Sequence, residues 1–283
     1  MLYPSTLGSS EKGIANMTID MSVQRIPILG TPVDILSMES LLTIMERWIH
    51  ERDRAHWIAV TNSHGLMEAL RDNSFRQVLE SADLSIPDGY RLMKIARRRG
   101  YAAQQLTGAD LMDRFCELAR RRQYTSYFYG DTEETLGKLV ESLTSKYPGL
   151  KIAGSLSPPF RQLLSGEEES LIERVNQARP DVLWVGLGLP KQERWIARNL
   201  KWLRVPVVVA VGATFKFHSG MLPRAPGWMI RNGYEWVWRT AHQPRRLFRR
   251  VVLLGPPFLW NVALERYGLK NFGGGDADSS RIG

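Results

Sequence analysis

The sequence predicts an α/β protein built on a largely parallel sheet, and two features of the chain carry that prediction. Short apolar runs alternate with longer amphipathic segments, which is the pattern of strands alternating with helices. Residues 207–211 are wholly apolar and almost entirely β-branched, as expected for a strand buried on both faces of a parallel sheet. With 283 residues, of which 43% are hydrophobic, the chain is long enough to bury a sizeable core.

The individual elements follow from turn residues and from apolar spacing. Residues 25–35 are apolar with Gly30 and Pro32 near the centre, which predicts a short hairpin. Short apolar runs predict strands at 57–60, 82–86, 126–129, 150–153, 182–185 and 207–211. Apolar residues three and four apart predict helices at 64–71, 91–99, 110–121, 132–146, 167–178 and from 190 onward.

The C-terminal part of the chain differs from the rest in composition. Residues 223–270 are rich in Trp and Arg and are expected to form a helical appendage on an α/β core of residues 25–222. Residues 1–24 are expected to be a disordered leader and residues 271–283 a Gly- and Ser-containing disordered tail. No apolar run approaches the roughly 18 residues of a transmembrane helix, and residues 1–19 lack the charged-then-apolar pattern of a signal peptide.

The net charge and the residue types that could bind a metal indicate which classes of ligand the chain can bind. A net charge of +9 favours anionic ligands, which include nucleic acid, anionic lipid and phosphate-bearing substrates. Cys116 is the one cysteine, so no disulfide within the chain and no cysteine metal cluster can form. The histidines form no helical metal pair, and the Asp-x-Asp tripeptide Asp276-Ala277-Asp278 falls in the predicted tail. We therefore expect chemistry without a metal or another cofactor.

The first candidate site is Asp88, which lies in a Pro-Asp-Gly turn directly after a predicted strand. Ligands of open α/β sheets bind beyond the carboxyl ends of strands, where a carboxylate can act as a general base. Gly89 allows the backbone to turn sharply there. An ordinary Pro-Asp-Gly turn without function explains the same three residues.

A second candidate is the segment from Gly186 to Gln192, which follows a strand and opens a helix. Two glycines, Gly186 and Gly188, let a ligand approach the backbone, and Pro190 suits the first helical position. Lys191 at a helix N-terminus makes a phosphate site, and Gln192 can bind a sugar or phosphate oxygen. A tight connection between strand and helix is the alternative.

Two further groups carry polar side chains. Thr61 and Asn62 follow the strand at 57–60. The small polar side chains here either orient a substrate or cap the next helix, with Asn62 or Ser63 as the N-cap. Arginines interleaved with tryptophans crowd residues 224–250. Arg binds phosphate bidentately and Trp suits a membrane interface, so this composition fits a lipid diphosphate at an anionic surface. A nucleic-acid backbone, or a solvated basic helix with Trp in the core, would also fit it.

Taken in order along the chain, these elements resemble the WecG/TagA/CpsF glycosyltransferase family from about residue 25 to residue 250. The matching elements are Pro87-Asp88-Gly89, Leu106-Thr107-Gly108-Ala109-Asp110-Leu111, the segment 185–193, Arg224-Ala225-Pro226, and Glu235-Trp236-Val237-Trp238-Arg239 followed by Pro244-Arg245-Arg246. The resemblance implies a Rossmann-like core and metal-independent, inverting transfer of a sugar from a UDP-sugar to a polyprenyl-diphosphate-linked sugar. It also implies an appendage that completes the active site and docks at the membrane.

The resemblance assigns roles residue by residue. It places the catalytic aspartate at Asp88, the site glutamine at Gln192 and the strand-end asparagine at Asn62. It places the diphosphate-binding arginines at Arg239, Arg246 and Arg249. Three departures stand out: Lys216 replaces an Asp common in relatives, Val60 a Thr, and Gln105 an Arg. They leave open the donor sugar and the finer phosphate contacts.

The sequence leaves alternatives open for the function and the oligomeric state of the protein. With the signal pattern absent and one cysteine, we expect a peripheral protein at the cytoplasmic face of the inner membrane. A basic nucleic-acid-binding protein is the competing hypothesis, against which stands the lack of any known nucleic-acid motif. An inactive relative that serves as an assembly partner is a third. A homo-oligomer that covers the appendage in the cytoplasm stays open.

Overall fold

The computed structural model describes residues 23–161, 163–164, 166–242 and 244–273, and within 244–254 it describes the backbone alone. Nearly all of the predicted leader and the tail after Gly273 therefore lie outside the described residues.

Two sheets form the framework. The predicted hairpin is present as antiparallel strands β1 (Gln24–Ile28) and β2 (Thr31–Ile35). The main sheet has six strands, all paired in parallel, in the order β4-β3-β8-β7-β5-β6.

The strands of the main sheet fall where the apolar runs predicted them. They are β3 (His56–Thr61), β4 (Leu84–Pro87), β5 (Thr125–Gly130), β6 (Lys151–Leu156), β7 (Val182–Gly186) and β8 (Val207–Ala210). Every residue of β8 is buried, and the strand lies between β3 and β7 in the interior of the sheet. The prediction of a largely parallel, Rossmann-like α/β fold is confirmed.

Helices cover both faces of the sheet. They are α1 (Met38–Glu51), α2 (Ser63–Arg71), α3 (Asn73–Glu80), α4 (Tyr90–Arg98), α5 (Gly108–Arg122), α6 (Glu133–Lys146), α7 (Glu167–Ala178), α8 (Lys191–Asn199), α9 (Thr214–His218), α10 (Gly227–Arg231), α11 (Glu235–His242) and α12 (Pro244–Arg266). Three of these, α1, α3 and the short α9, were not predicted. Helix α8 begins one residue later than predicted, because Pro190 occupies the N-cap position after a cis Leu189-Pro190 peptide bond.

Alternate side chains of the central strands face opposite layers, as the two-residue period of a strand requires. In β7, Val182 and Trp184 pack with α1, α5 and α6, whereas Leu183 and Val185 pack with α3, α7 and α8. All four side chains are fully buried. The sheet is therefore closed on both faces, and its carboxyl edge is left to form a site.

The appendage is anchored to the core through α12. Phe258, which is 1% exposed, packs in a third apolar cluster with residues of the hairpin, α2 and α4. The Glu265 carboxylate accepts hydrogen bonds from the Leu29 backbone N–H at 2.8 Å and from the Arg99 guanidinium at 2.5 Å. Among the described residues, no helix is both long enough and apolar enough to cross a bilayer.

Candidate active site at the carboxyl edge of the sheet

Four neighbouring strands bring the predicted polar residues to one cavity. Asp88 follows β4, Asn62 follows β3, Gly212 follows β8 and Gly188 follows β7, in the same order as these strands lie in the sheet. All four residues line a cavity of about 130 Å³, here called the strand-end cavity. The carboxyl ends of parallel strands meet at one edge of the sheet, which is why residues far apart in sequence converge there.

The backbone around Asp88 is fixed on both sides. The Asp88 N–H donates to the Thr61 carbonyl at 2.7 Å, and the Gly89 N–H donates to the Leu106 carbonyl at 3.0 Å. A parallel bridge between Asp88 and Leu106 extends the sheet by one short contact. This bridge brings the start of α5 beside Asp88, so that the predicted Thr107-Gly108 element becomes part of the cavity wall.

Burial raises the pKa of Asp88 to about 7. The negative charge of Glu235 adds to the rise, while Arg239 and hydrogen bonds from the Asn62 side chain and the Gly108 backbone oppose it. A carboxyl group with a pKa near neutrality is suited to accept a proton during a reaction and to release it afterwards. The environment therefore distinguishes Asp88 from the surface carboxylates.

Asn62 both caps a helix and lines the cavity, so the two predicted roles are compatible. Its Oδ1 accepts hydrogen bonds from the backbone N–H groups of His64 at 3.0 Å and Gly65 at 3.2 Å. Its amide nitrogen remains for Asp88. Thr61 is placed differently: it is 2% exposed, and its hydroxyl lies 2.8 Å from that of Ser85 within the sheet. The structure does not bring the Thr61 side chain to the cavity.

The segment from Gly186 to Gln192 forms the next part of the cavity wall. Gly188 has a φ of 80°, a conformation that favours glycine, and lines the cavity. A Cβ on Gly186 would lie 2.5 Å from the Phe215 ring, so this glycine is required for packing. The Oε1 of Gln192 accepts from the N–H groups of Gly188 at 3.1 Å and Gly212 at 3.0 Å. Gln192 thus ties together the loops after β7 and β8.

Glu193, which sequence reasoning passed over, fixes the orientation of that glutamine. Gln192 Nε2 donates to Glu193 Oε1 at 2.8 Å, and both side chains are almost fully buried. Burial raises the pKa of Glu193 to about 7. The second oxygen, Oε2, is buried without a hydrogen-bond partner among the described residues. With its oxygen and one amide hydrogen engaged, Gln192 has one N–H left for a ligand.

A larger, more open cavity of about 990 Å³ adjoins the strand-end cavity and is here called the outer cavity. The two share Gly188, Gly212 and Lys216 in their walls. Gly186 and Lys191 also line the outer cavity, with Lys191 at the first position of α8. Lys216 Nζ lies 3.7 Å from Asp131 Oδ2 at the junction. Positive charge and a helix N-terminus therefore face the space next to Asp88.

The appendage closes the other side of the strand-end cavity. Glu235 and Arg239 of α11 line it, and Arg224 is paired with Asp110 of α5, which holds the start of the appendage against the core. Arg239 lines the cavity, and its binding of a diphosphate stays a prediction. The side chains of Arg246 and Arg249 lie outside the described residues. Glu235 was missed as a charged neighbour of Asp88. The sequence feature that could have identified Glu235 is its place in the element Glu235-Trp236-Val237-Trp238-Arg239.

Metal ligands do not gather in the described part of the chain. No group of three His, Cys, Asp or Glu side chains there is close enough to hold a metal ion. Independence of a metal stays a prediction, which chelation experiments test directly.

Fold and site together define a Rossmann-like α/β protein in which Asp88, a carboxyl group with a raised pKa, lies at the strand ends beside a cationic, aromatic-rich appendage. The chain belongs to the glycosyl transferase WecG/TagA/CpsF family, whose family model matches residues 26–271. The resemblance of its motifs to that family is thereby confirmed.

Characterised relatives cover most of the chain. A Bacillus subtilis (strain 168) N-acetylglucosaminyldiphosphoundecaprenol N-acetyl-beta-D-mannosaminyltransferase is 26% identical over 237 residues, which cover 83% of this chain and 90% of that protein. A protein of the same name from Staphylococcus aureus (strain MW2) is 22% identical over 258 residues, covering 90% of this chain and 99% of that protein. Both relatives are named for sugar transfer to a sugar diphosphate carried on undecaprenol.

Proposed function

We propose that this protein is an inverting glycosyltransferase that moves a sugar from a UDP-sugar to a polyprenyl-diphosphate-linked sugar, with Asp88 as the general base. The observation that carries the proposal is the Asp88 carboxyl group, which lies at a strand end with a pKa of about 7, between the outer cavity and the appendage. Membership of a glycosyl transferase family supports the reaction class. The names of the relatives support the kind of acceptor.

The proposed reaction is a single displacement at the anomeric carbon. The acceptor hydroxyl oxygen attacks that carbon while the Asp88 carboxylate takes its proton. The bond between the anomeric carbon and the β-phosphate oxygen breaks, and UDP leaves with the electron pair. Attack opposite to the leaving group inverts the configuration. Hydrogen bonds from the Asn62 amide and the Gly108 N–H favour the ionised carboxylate and partly oppose the effect of burial on its pKa.

The departing diphosphate needs positive charge, which the outer cavity supplies. Lys191 and the first turn of α8 face this cavity, and Lys216 lies where it joins the strand-end cavity. Fixed charges of this kind stabilise negative charge as it develops on the leaving group. We assign the nucleotide of the donor to the outer cavity and the sugar to the strand-end cavity, where Gln192 offers its remaining N–H.

The appendage provides the proposed contact with the membrane. Its helices expose Trp228 (56%), Leu259 (58%) and Trp260 (67%), which is unusual for side chains of this size. Aromatic side chains favour the interface between lipid and water, and neighbouring arginines favour anionic headgroups. We propose peripheral binding at the cytoplasmic face of the inner membrane, where a polyprenyl-linked acceptor is accessible.

Release of UDP tests this function. The purified chain is incubated in EDTA with a panel of UDP-sugars, with and without a short-chain polyprenyl-diphosphate-linked N-acetylglucosamine. UDP-N-acetylmannosamine is the first donor to test, because the relatives are named for N-acetylmannosamine transfer. Acceptor-dependent release in EDTA supports the proposal. A folded protein that neither binds UDP nor releases it with any pair favours the binding-protein or inactive-relative hypothesis.

A further inference from the structure

A second opening reaches Asp88 from the side of the appendage. This appendage cavity has a volume of about 220 Å³ and lies between the start of α4 and helices α10, α11 and α12. Asp88, Arg91 and Gln105 line it from the core, and Trp236 and Arg239 line it from α11. Asp88 is thus reached from two directions, through the strand-end cavity and through the appendage cavity.

Arg91 is a cation in this cavity without a carboxylate partner among the described residues. It lies in the first turn of α4 and is half-buried. Its Nη1 lies 3.9 Å from the position of a Cβ built on Gly255, which places the guanidinium against the α12 wall of the cavity. Burial lowers the pKa of Arg91. Asp88 and Glu235 line the same cavity, but neither forms an ion pair with Arg91. By contrast Arg25, Arg99 and Arg224 are each paired with an acid.

The other charged groups of the cavity are Asp88, Glu235 and Arg239, and their electrostatic interactions are with one another. Glu235 raises the pKa of Asp88 and Arg239 lowers it, so these three groups form one electrostatic cluster. The Nε of Arg239 is buried without a partner among the described residues. Gln105 carries no charge, and its amide donates to the Ile230 carbonyl at 3.1 Å. A partly buried cation without an ion-pair partner is stabilised by an anionic ligand that enters its cavity.

We propose that Arg91 binds the diphosphate of the lipid-linked acceptor together with Arg239, which lines the same cavity from α11. The proposal rests on the function proposed above and adds a binding residue from the core to the arginines of the appendage. A guanidinium matches the geometry of phosphate oxygens bidentately. The proposed function assigns the donor diphosphate to Lys191 and Lys216 of the outer cavity, whose lining does not include Asp88 or Arg91. Trp236 lines the appendage cavity and is 42% exposed, so the lipid chain leaves towards the aromatic surface of the appendage.

The test compares Arg91→Ala with Arg98→Ala, which removes the same charge from an exposed position on the same helix. Initial rates of UDP release are measured against acceptor concentration and against donor concentration, and UDP affinity is measured by calorimetry. We expect Arg91→Ala to raise the KM for the acceptor by roughly ten- to hundredfold, the range for losing a hydrogen bond to a charged group. The Kd for UDP should change by less than about twofold, and Arg98→Ala should match the wild type.

Arg91→Lys serves as a second variant if Arg91→Ala does not fold. It keeps the charge but loses the bidentate geometry, so the KM for the acceptor should rise by a smaller factor. An unchanged acceptor KM in both folded variants overturns the role of Arg91 while leaving the proposed function standing. A rise in donor KM and UDP Kd instead would place Arg91 at the donor diphosphate and also overturn the proposal. If the wild-type protein transfers no sugar, the proposed function itself fails.

Discussion

Gln192 Nε2 donates a hydrogen bond to Glu193 Oε1 over 2.8 Å, and this contact sets which end of the glutamine amide faces the loops after β7 and β8. Gln192 Oε1 is thereby aimed at the N–H groups of Gly188 and Gly212. A buried carboxyl group thus positions two loops that line the strand-end cavity. The buried Glu193 carboxyl group should therefore affect how the free energy of unfolding depends on pH.

Glu193 should make the protein less stable as the pH rises. Its pKa is raised in the folded state from 4.5 to about 7, so the folded protein binds the proton more tightly than the unfolded chain. The stabilisation is complete below pH 4.5 and is lost as the pH rises through 7, by about 3 kcal/mol in total. Glu193→Gln resembles the protonated acid and should lose less stability between pH 5 and pH 8.

Urea unfolding at several pH values measures this difference. Asp88, whose pKa is also raised, contributes a loss in the same direction in both proteins, so the difference between them isolates Glu193. At pH 8 the Glu193→Gln protein should be the more stable of the two. Parallel stability curves for the wild type and the variant would show that Glu193 is not the source of the pH dependence.

Glu235 should tune the pH dependence of catalysis. The reaction needs the ionised form of Asp88, so kcat/KM should rise with pH through an apparent pKa of about 7. Glu235→Gln removes a negative charge that raises the pKa of Asp88, and the rising limb should move to lower pH. Glu133→Gln, an exposed change at the start of α6, is the matched control and should leave the profile in place. A shift to higher pH in Glu235→Gln would contradict the electrostatic account.

Two glycine substitutions should affect stability in opposite directions. Gly186→Ala places a methyl group 2.5 Å from the fully buried Phe215 ring, and overpacking of this kind costs about 1–3 kcal/mol. Gly137→Ala, in the middle of α6, meets no atom within 4 Å and should stabilise by up to about 1 kcal/mol through helix propensity. Free energies of unfolding in urea compare the two. Equal effects would mean that the contact with Phe215 does not restrict Gly186.

Trp260 should contribute to membrane binding. Burial of only about 60 Å² of apolar surface is worth about 1.5 kcal/mol, so Trp260→Ala should weaken binding to anionic vesicles by about tenfold. Trp202→Ala is the control, because Trp202 is 60% exposed and lies after the C-terminal end of α8, away from the appendage. Vesicle sedimentation measures both variants. Equal loss of binding in the two would mean that the appendage is not the surface that meets the membrane.

The strand framework and the strand-end residues of the site could be predicted from the sequence because both depend on local patterns. Apolar runs located the six parallel strands, and the residues after them include Asp88, Asn62 and Gly188, which meet in one cavity. Helix α1 was missed although Leu41, Met45 and Trp48 bury one face and Ser37 caps its start. That helix has the period of an amphipathic helix, so the information was present in the sequence.

Other parts of the site depend on tertiary contacts that no local pattern encodes. The placement of Glu235 beside Asp88 requires the appendage to dock on α4 and the hairpin, which it does through Phe258. Arg91 follows Asp88 closely in sequence, but the cavity in front of it forms only when the appendage is docked. The orientation of the Gln192 amide depends on the loop after β8, twenty residues away in sequence. Thr61 was a candidate for substrate binding because it is one of the small polar residues at the end of a strand. The alternation of side chains along β3 turns it towards Ser85 instead.

The most direct test of the central claim is UDP release by Asp88→Asn, measured beside the wild-type protein with the same donor and acceptor. Asparagine has nearly the same shape as aspartate but cannot accept the acceptor proton. The account predicts a fall in kcat of at least about a hundredfold, with the thermal unfolding transition and the Kd for UDP largely retained. Activity within about tenfold of the wild type would show that Asp88 is not the general base.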